Sequence, residues 1–596
     1  MAKRYALCVL LLLFSLTSIT FAQNANTSLR GSIKDPSGAV VPSATITLTN
    51  NATGAVLKAT SNAGGDYQFN QVPPATYNIK VSAPGFGDQT KTAELLVNQP
   101  ATIDFAVSVQ ASTEVVNVSA EAQSLNTSDA SLGNSMNNAM IQALPSEGRN
   151  VPDLLSLQPG VLYLGQDSGR PSNSQLANDP RSGAVNGGRS DQGNIIVDGL
   201  DDNDQVSGYA FTGVLRETQD SIEEFRVTTG LSGADQGRSS GAQISMVTKS
   251  GTNNFHGAAY WYNRPTLTVA NDWFNKEAQL NSGEANTPPK LVRNNFGVAV
   301  GGPILKDKLF FFGNYEGLRQ AENQIVTRTA PTASYQQGIV SYLSGGSTVS
   351  ITPGQVTALD AGCQVCGTSE YPAGPGPNPN VLAYLNQYPA ANGTAAGDGL
   401  NTGSYTFSSP NPVTLNTSIG RIDFIPNQKQ RVFVRGNLQK DTFSAVEQFP
   451  GQPPTYSQID NSKGIAAGYS YMFTSNLVND LHYGYIRQGY GTTGTATGEY
   501  VDFRFIDPLT ATLDQQDRQT VYSVPVNNIV DNLSWAKGRH TLQFGGNWRL
   551  IHQNRGTDSN SFNSATSNPY WLAGNAPAPD TAGGAPLDSG FQNSYN

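Results

Sequence analysis

Four aspartates in a glycine-bearing turn are the residues whose types and spacing come nearest to a metal site. Carboxylate oxygens grouped in this way are ligands that calcium prefers. The EF-hand pattern is not met, because neither a sixth-position glycine nor a twelfth-position glutamate follows the first or the third aspartate. The spacing therefore predicts a structural turn, and a calcium site is the alternative. The aspartates are Asp198, Asp201, Asp202 and Asp204.

Two short glycine motifs suggest enzyme chemistry at first reading. Residues 237–241, GRSSG, match the nucleophile elbow, whose serine needs a strand-to-helix turn, but a strand-like segment follows here. Residues 489–494, GYGTTG, match a dinucleotide fingerprint, but no helix opens after them to bind a phosphate, and they are interpreted as a loop between strands. We therefore predict that the chain is not an enzyme and has no catalytic residue and no cofactor.

The histidines and cysteines also indicate no catalytic or metal site. The histidines are dispersed, so they indicate neither a metal site nor a general base. Cys363 and Cys366 stand in a Gly/Pro-rich region and are predicted to form a small disulfide in an oxidising compartment. A zinc site would need a second ligand pair, and a thioredoxin-like site would need a βαβ unit. The histidines are His256, His482, His540 and His552.

Composition restricts the class of protein. Charged residues make up 14% of the 596 residues, well below the roughly 25% of soluble domains, yet the mean hydropathy is −0.34. The chain must therefore be rich in uncharged polar residues, which suits alternating strands better than membrane helices. The net charge of −9, without clusters of Lys and Arg, argues against a nucleic-acid partner.

The first residues predict export. Lys3 and Arg4 precede an apolar run over residues 6–16, and small residues end at Ala22. This pattern is typical of a signal peptide, here residues 1–22, cleaved after Ala22. No later run of 18 or more apolar residues follows, so a membrane location would require a closed barrel and would be the outer membrane.

Residues 28–108 read as a small β-sandwich, because short strands alternate with regular turns. The segments GSIKDPSGAVVPSATITLTN and GGDYQFNQVPPATYNIKVSAPGF resemble carboxypeptidase regulatory-like domains. The resemblance implies a transthyretin-like or carbohydrate-binding-like sandwich. Ala75 departs from the family, which has glycine there, while Tyr77 keeps the expected spacing.

Beyond residue 250 the strands alternate like those of a membrane barrel. Leu542, Phe544 and Trp548 face one side, and the residues between them are polar or glycine, so one face suits lipid and the other suits water. We count roughly ten barrel strands, against about 22 in plugged transporters. The chain also stops at Asn596 without a terminal aromatic residue, so we expect a C-terminally truncated barrel, and a compact barrel with fewer strands is the alternative. About a hundred residues beyond Arg319 are interpreted as a long extracellular loop without structure.

Several motifs in one order carry a second resemblance. The chain resembles Oar-like TonB-dependent outer-membrane receptors, which implies a mainly β protein with a mixed α/β plug over residues 112–250 and a partial antiparallel barrel over residues 251–596. The motifs are LPSEGRNVPDLLSLQPGV, VNGGRSDQGNIIVDGLDDND, DSIEEFRV, VTKSGTNNFHG, RNNFGVAVGGPI and KLFFFGNYEGLR.

A short extended segment ahead of the plug resembles the strand by which such receptors engage their energy-coupling protein. A first plug strand is the alternative interpretation. A segment of this kind can bind by adding a strand to a sheet edge. Its residues are Glu114, Val115, Val116, Asn117 and Val118.

The resemblance implies an outer-membrane receptor or transporter for energised uptake of a siderophore, glycan or peptide. Its expected partners are a periplasmic TonB-type protein, outer-membrane lipid and an external small-molecule or glycan ligand. Two alternatives stay open at this point. One is a surface carbohydrate-binding or adhesion protein without transport, and the other is a nonfunctional fragment of a longer receptor.

Overall fold

The computed structural model is mainly β, which confirms the predicted fold class. Within its described residues, no helix combines the length and the apolar character needed to cross a membrane. The structure describes residues 26–108, 132–144, 146, 148–163, 183–188, 192–206, 213–230, 241–281, 283–359, 374–454, 456–494, 500–502, 519–537, 540–557 and 564–566.

The first domain is a sandwich of two sheets around one apolar core. One sheet has the order β4-β1-β7, with β8 also on β1, and the other has the order β3-β2-β5-β6. Tyr77 is fully buried between them and donates its hydroxyl to the Pro73 carbonyl at 2.8 Å, so Ala75 does not disturb the corner. The strands are β1 (Thr27–Lys34), β2 (Thr45–Asn50), β3 (Val56–Thr60), β4 (Asp66–Val72), β5 (Ala75–Ser82), β6 (Gln89–Leu95), β7 (Ala101–Thr102) and β8 (Phe105–Ala106).

The second domain, the plug, has a mixed five-stranded sheet of order β13-β12-β15-β14-β9. Its core consists of plug residues alone, such as Ile141, Leu155 and Phe225. Asn137 caps its first helix by accepting a hydrogen bond from the Met140 amide. The elements are β9 (Leu132–Asn137), α1 (Asn138–Ala143), a 3-10 helix (Val151–Leu157), β10 (Val161–Tyr163), β11 (Gly183–Val185), β12 (Asn194–Val197), β13 (Leu200–Asp201), β14 (Ile222–Gly230) and β15 (Gln243–Thr248).

The third domain is an antiparallel meander that forms the barrel wall, with β16 and β30 as its edges in the described chain. Its strands are β16 (His256–Pro265), β17 (Leu291–Leu305), β18 (Leu309–Pro331), β21 (Thr402–Pro410), β22 (Val413–Asn427), β23 (Gln430–Gln439), β24 (Asp441–Ser444), β25 (Ser457–Asp460), β26 (Lys463–Thr474), β27 (Leu477–Thr493), β29 (Thr520–Lys537), β30 (His540–Ile551) and β31 (Asn554–Thr557). The connections contain a short 3-10 helix (Thr266–Thr268), α2 (Trp273–Asn281), α3 (Ala333–Gln336), β19 (Val340–Ser344), β20 (Ser347–Ile351), α4 (Pro353–Leu359), α5 (Pro379–Leu385), β28 (Tyr500–Asp502) and β32 (Ser564–Thr566).

Side chains alternate along the wall as the sequence pattern predicts. On β23, Arg435 and Asn437 are buried towards the plug, whereas Val434 and Leu438 are exposed on the other face. The same alternation separates buried His482 from its exposed neighbours on β27. Polar inward and apolar outward faces are typical of a transmembrane barrel.

Two predictions about loops are wrong. The segment beyond Arg319 is not structureless, because β18 continues to Pro331 and pairs with β21, and α3 to α5 and β19-β20 lie between them. The first five residues of the GYGTTG motif are strand rather than loop, because β27 extends to Thr493. Tyr490 lies opposite Tyr522 on β29, with the rings stacked 4.6 Å apart, so a cross-strand aromatic pair stabilises this extension.

The connections show which side of the membrane each end faces. Turns of two or three residues join β17 to β18 and β22 to β23, whereas far longer connections join β16 to β17 and β18 to β21 at the opposite end. Outer-membrane barrels have short turns on the periplasmic side. The sandwich contacts the short-turn end. There the backbone amide of Asn253 donates to the Ala52 carbonyl, and the side-chain amide of Gln71 donates to the Ser534 hydroxyl. The sandwich therefore lies on the periplasmic side.

Gly31 gives a test of the sandwich, because a Cβ there would lie 1.8 Å from the Ile103 carbonyl oxygen. We expect Gly31→Ala to break the pairing of β1 with β7 and β8 and to destabilise the sandwich by roughly 1–3 kcal/mol or more. The effect would be measured by heating the full chain and using proteolytic cleavage within residues 28–108 to detect unfolding of the sandwich. Gly87→Ala is the control, since its nearest neighbour would be 3.8 Å away. Equal melting of both variants would contradict the assigned packing.

Candidate functional site

The candidate site is the ionic interface, which we define as the buried charged residues that join the plug to the barrel wall. Burying charges is costly unless they are paired, so a concentration of them marks a region with a role beyond packing. The plug contributes Arg149, Asp198, Asp201, Arg216, Glu217 and Asp220, and the wall contributes Glu316, Arg421, Arg435, Asp441 and Arg549.

A tight turn presents Asp198 to the wall. Val197 pairs with Leu200, which leaves Asp198 and Gly199 as a two-residue hairpin loop with φ angles of 50° and 80°. Asp-Gly is a favoured sequence for such a turn, because both positions need positive φ. The aspartate cluster is thus a hairpin turn whose first carboxylate points out of the plug.

The Asp198 carboxylate accepts three hydrogen bonds and forms one further ion pair, with Arg435. Arg421 Nη1 and Arg435 Nε each lie 3.0 Å from one of its oxygens, and the backbone amide and hydroxyl of Thr248 donate at 2.9 and 2.8 Å. Burial opposes ionisation, but the two arginines outweigh it and hold the pKa of Asp198 below its ordinary value. The carboxylate is therefore an anion shared between two barrel strands.

A second acid lies beside this pair. Arg435 Nη1 also contacts Glu217 Oε1 at 2.9 Å, and Asn437 donates to the same oxygen at 3.2 Å. Burial raises the pKa of Glu217 to about 7. The second oxygen of Glu217 has no hydrogen-bond partner in the described part of the chain. Arg435 thus links two plug carboxyls to one barrel strand.

Arg149 makes the corresponding contact at the first wall strands. It binds Asp220 at 2.6 Å and Glu316 at 3.0 Å, and its guanidinium lies over the rings of Tyr260 and Tyr262. Its φ of 53° is unusual for a residue other than glycine. These contacts connect two parts of the plug to β16 and β18.

Two further ion pairs and two small apolar contacts complete the attachment. Arg216 binds Asp441 at 2.6 Å, and Arg549 binds Asp201. Leu200 packs against Ala466 and Val530, and Leu215 packs against Ile486. The plug is therefore attached mainly by charges and hydrogen bonds, because its own core is separate from these contacts.

The sandwich contacts the plug at a buried carboxylate, Glu224. The Val97 amide donates to both oxygens of Glu224, at 2.9 and 2.8 Å, and Ser135 donates to one of them. Burial raises the pKa of Glu224 to about 7, and these hydrogen bonds offset part of the rise. Nearby, Asn98 donates to Ser245 at 3.1 Å. The contact is polar, like that between plug and wall.

An inner cavity of about 480 Å³ lies where the sandwich, plug and wall meet. Asn50, Lys249, Asp423 and His482 are among its lining residues. His482 lies 2.8 Å from the Asp198 carbonyl oxygen and 2.9 Å from Asp480, so it supports the plug turn from the wall.

The predicted site residues are placed as follows. The coupling segment, residues 114–118, lies outside the described residues, as do Cys363, Cys366 and residues 237–240. The aspartates diverge, since Asp198 binds two arginines and Asp201 binds a third. Across the described ranges, no group of three His, Cys, Asp or Glu side chains is arranged to hold a metal ion.

Sequence reasoning missed the cationic half of the ionic interface. Arg421 and Arg435 occupy inward positions of strands that otherwise alternate between polar and apolar residues. A charged residue at an inward position of a barrel strand was the available signal. Its partner could not be read from the sequence, because Asp198 is 223 residues away from Arg421.

Comparison with known proteins gives two family matches. A model of the outer membrane beta barrel domain matches residues 247–593, more than half of the chain, and a model of the carboxypeptidase regulatory-like domain matches residues 28–108. The TonB-dependent transporter Oar of Myxococcus xanthus is 27% identical over 311 residues, which are 50% of this chain and 27% of that protein. The predicted resemblances to Oar-like receptors and to regulatory-like domains are thereby confirmed.

Solved structures are also similar. The outer membrane transporter YddB from Escherichia coli has a TM-score of 0.45 and 11% identity over 71% of this chain and 48% of that chain. The ferric-catecholate import receptor Fiu from E. coli K12, in its open form, has a TM-score of 0.36 and 13% identity over 76% of this chain and 64% of that chain. The chain thus spans 27% of Oar and 48% of YddB.

Asp198→Asn should loosen the plug, because it removes the shared charge but keeps the size and the tolerance of positive φ. We expect a loss of about 3 kcal/mol in the free energy of local plug unfolding. Hydrogen exchange of β12 and β15 in increasing urea would measure it. Glu223→Gln, at an exposed position of plug strand β14, is the control. Identical exchange in both variants would show that the ionic interface does not hold the plug.

The Glu224 contact predicts a pH effect. Glu224 binds its proton more tightly when the sandwich is docked than when the carboxyl is exposed to solvent. Docking therefore takes up protons between about pH 4.5 and about pH 7. The sandwich should therefore dock more weakly as the pH rises through this window. We expect the protection factor of the Val97 amide to be roughly tenfold or more higher at pH 5 than at pH 8.

The control for this prediction lies inside the sandwich, where the Val107 amide donates to the Lys34 carbonyl. Its protection factor should not depend on pH, and Glu224→Gln should remove the dependence at Val97. An equal Val97 protection factor at both pH values in the unaltered chain would refute the role of Glu224.

Proposed function

The chain belongs to the family of the outer membrane beta barrel domain, and from this membership we propose that it acts as the receptor of a TonB-dependent uptake system. An external ligand of the siderophore, glycan or peptide class binds on the long-loop side. A periplasmic TonB-type protein then pulls on the chain ahead of the plug, and the plug loosens. The proposal contains no catalytic step.

The observation that carries this proposal is the attachment of the plug. The plug has a core of its own, and its main contacts with the wall are the ion pairs of Asp198, Arg149 and Arg216. A body with its own core can move as a unit. Water can replace partners of this kind, so a shift of the plug exposes only small apolar contacts, those of Leu200 and Leu215.

The proposed coupling strand is residues 114–118, between the sandwich and the plug. The sandwich lies on the periplasmic side, and β8 ends at Ala106 while β9 begins at Leu132. The linker therefore connects a periplasmic domain to the plug. Strand addition to a partner sheet needs backbone groups rather than a particular side chain, which suits the short apolar segment EVVNV.

Further parts of the proposal concern the chain as a whole. Outward residues such as Val434, Leu481 and Phe544 are exposed and supply the surface for outer-membrane lipid. Residues 1–22 are the signal peptide, cleaved after Ala22. We place the domain bounds at residues 28–108, 112–250 and 251–596.

We also propose a disulfide between Cys363 and Cys366. In the sequence the pair stands between α4, which ends at Leu359, and α5, which begins at Pro379. The environment outside the cell is oxidising.

Deleting residues 114–118 should abolish binding to the periplasmic domain of the TonB-type protein, because the strand that adds to its sheet is lost. The measurement is binding of that domain to the purified full chain in detergent, by interferometry. Deleting residues 120–124 shortens the same linker equally and is the matched control, which should still bind.

The outcomes distinguish a wrongly assigned coupling strand from a wrongly proposed function. Binding that survives deletion of residues 114–118 would assign the coupling strand elsewhere. An unaltered, folded chain that fails to bind the TonB-type protein would refute energised uptake and favour surface binding or adhesion without transport.

A further inference from the structure

A second cavity, here called the outer cavity, lies between the plug and the first two wall strands. Its volume is about 710 Å³. We propose that it binds a neutral, hydroxyl-rich ligand, a segment of a carbohydrate. This inference rests on the proposed receptor function and names the ligand class that the receptor takes.

The outer cavity faces the long-loop side of the barrel. Its wall residues include Tyr262, Arg264 and Arg293, which lie near the end of β16 and the start of β17. A connection of 25 residues joins those two ends, whereas the short turns and the sandwich are at the opposite end of the wall. By the barrel rule, this side is extracellular, where a ligand from outside arrives first.

Three polar groups in the lining lack a hydrogen-bond partner within the described chain. They are Ser146 Oγ, Gln219 Nε2 and Asn295 Oδ1. Gln219 and Asn295 are 3% and 4% exposed, so both are nine-tenths buried or more. A buried polar group without a partner is destabilising, and its retention in a cavity points to a partner that binds there.

The unpaired groups determine what that partner must offer. Two amides and a hydroxyl supply donors and acceptors together, whichever way each amide is oriented. A hydroxyl group both donates and accepts, so a ligand with several hydroxyls can match Ser146, Gln219 and Asn295 at once. A carboxylate offers acceptors alone and an ammonium offers donors alone.

Charge balance also favours a neutral ligand. The three lining arginines are Arg149, Arg264 and Arg293. Asp153 of the lining and the two carboxylates that bind Arg149 balance their charge. A charged ligand would therefore enter without a matching net charge in the cavity.

The lining also has apolar surface beside its polar groups. Tyr262 is 54% exposed and Leu157 is 56% exposed, and both lie in the lining. Sugar rings present CH faces next to hydroxyls, so they fit an aromatic or aliphatic surface adjoining hydrogen-bonding groups. This combination distinguishes a carbohydrate from a small inorganic anion.

The test compares ligand affinity with stability. Gln219→Met and Asn295→Leu replace unpaired buried amides with apolar groups of similar size. Such changes should leave the protein as stable as before or more stable, because they remove groups that are buried without partners. Binding of a neutral oligosaccharide should weaken about fivefold for each substitution and roughly 25-fold for both together.

The probes are an array of neutral oligosaccharides, with acidic oligosaccharides and short peptides as comparison arms, applied to the full chain in detergent. Affinity for the tightest array member is then measured by calorimetry, and Asn479→Ala near the short-turn end is the control that should bind normally. Binding of neutral sugars that both cavity variants weaken without loss of thermal stability supports the site. Preference for acidic sugars or peptides, absence of neutral-sugar binding, or affinity unchanged in both variants overturns it.

The assay is independent of energy coupling. A chain that binds neutral sugar but does not bind the TonB-type protein would refute the proposed uptake function and leave the outer cavity assignment intact. A chain that binds the TonB-type protein but takes no neutral sugar would refute the cavity assignment alone.

Discussion

The relation between plug and barrel depends on the Asp198 carboxylate, which is buried between two arginines from neighbouring wall strands. Arg421 belongs to β22 and Arg435 belongs to β23, so one anion joins the plug to two adjacent strands. The Asp-Gly turn holds the carboxylate in place through backbone geometry rather than through a flexible side chain. Without the anion, Arg421 would keep Asp423 and Arg435 would keep Glu217 as carboxylate partners, but the link between the turn and both strands would be lost.

The sandwich and the plug have separate apolar cores. Each core is built almost entirely from residues of its own domain, and the wall turns many of its apolar side chains outwards. The domains therefore meet through polar groups, as at Glu224 and Val97 between plug and sandwich. Breaking such a polar contact exposes little apolar surface, because the apolar contacts between plug and wall are small, as at Leu200 and Leu215.

Much of this fold could be predicted from the sequence, because period-two alternation and turn residues are local signals. The hairpin at residues 426–429 is an example, since β22 ends at Asn427 and β23 begins at Gln430. The extension of β18 to Pro331 could not be predicted, because its partner strand β21 begins 71 residues later. The ionic interface could not be predicted for the same reason, because its paired residues are distant in sequence. Residues 114–118 and the cysteine pair remain predictions, since both lie outside the described residues.

Attachment by ion pairs has a physical consequence for how the plug would separate from the wall. The inner and outer cavities share no lining residue, and Asp198 borders one while Arg149 borders the other, so plug residues separate them in the described chain. An ion pair is strong while water is excluded and weakens greatly once the local dielectric rises. The first pair that separates admits water, and that water weakens the pairs that remain. An apolar interface behaves in the opposite way, because entering water opposes its separation. A plug held by ion pairs can therefore be firm at rest and release cooperatively under a pull from one side.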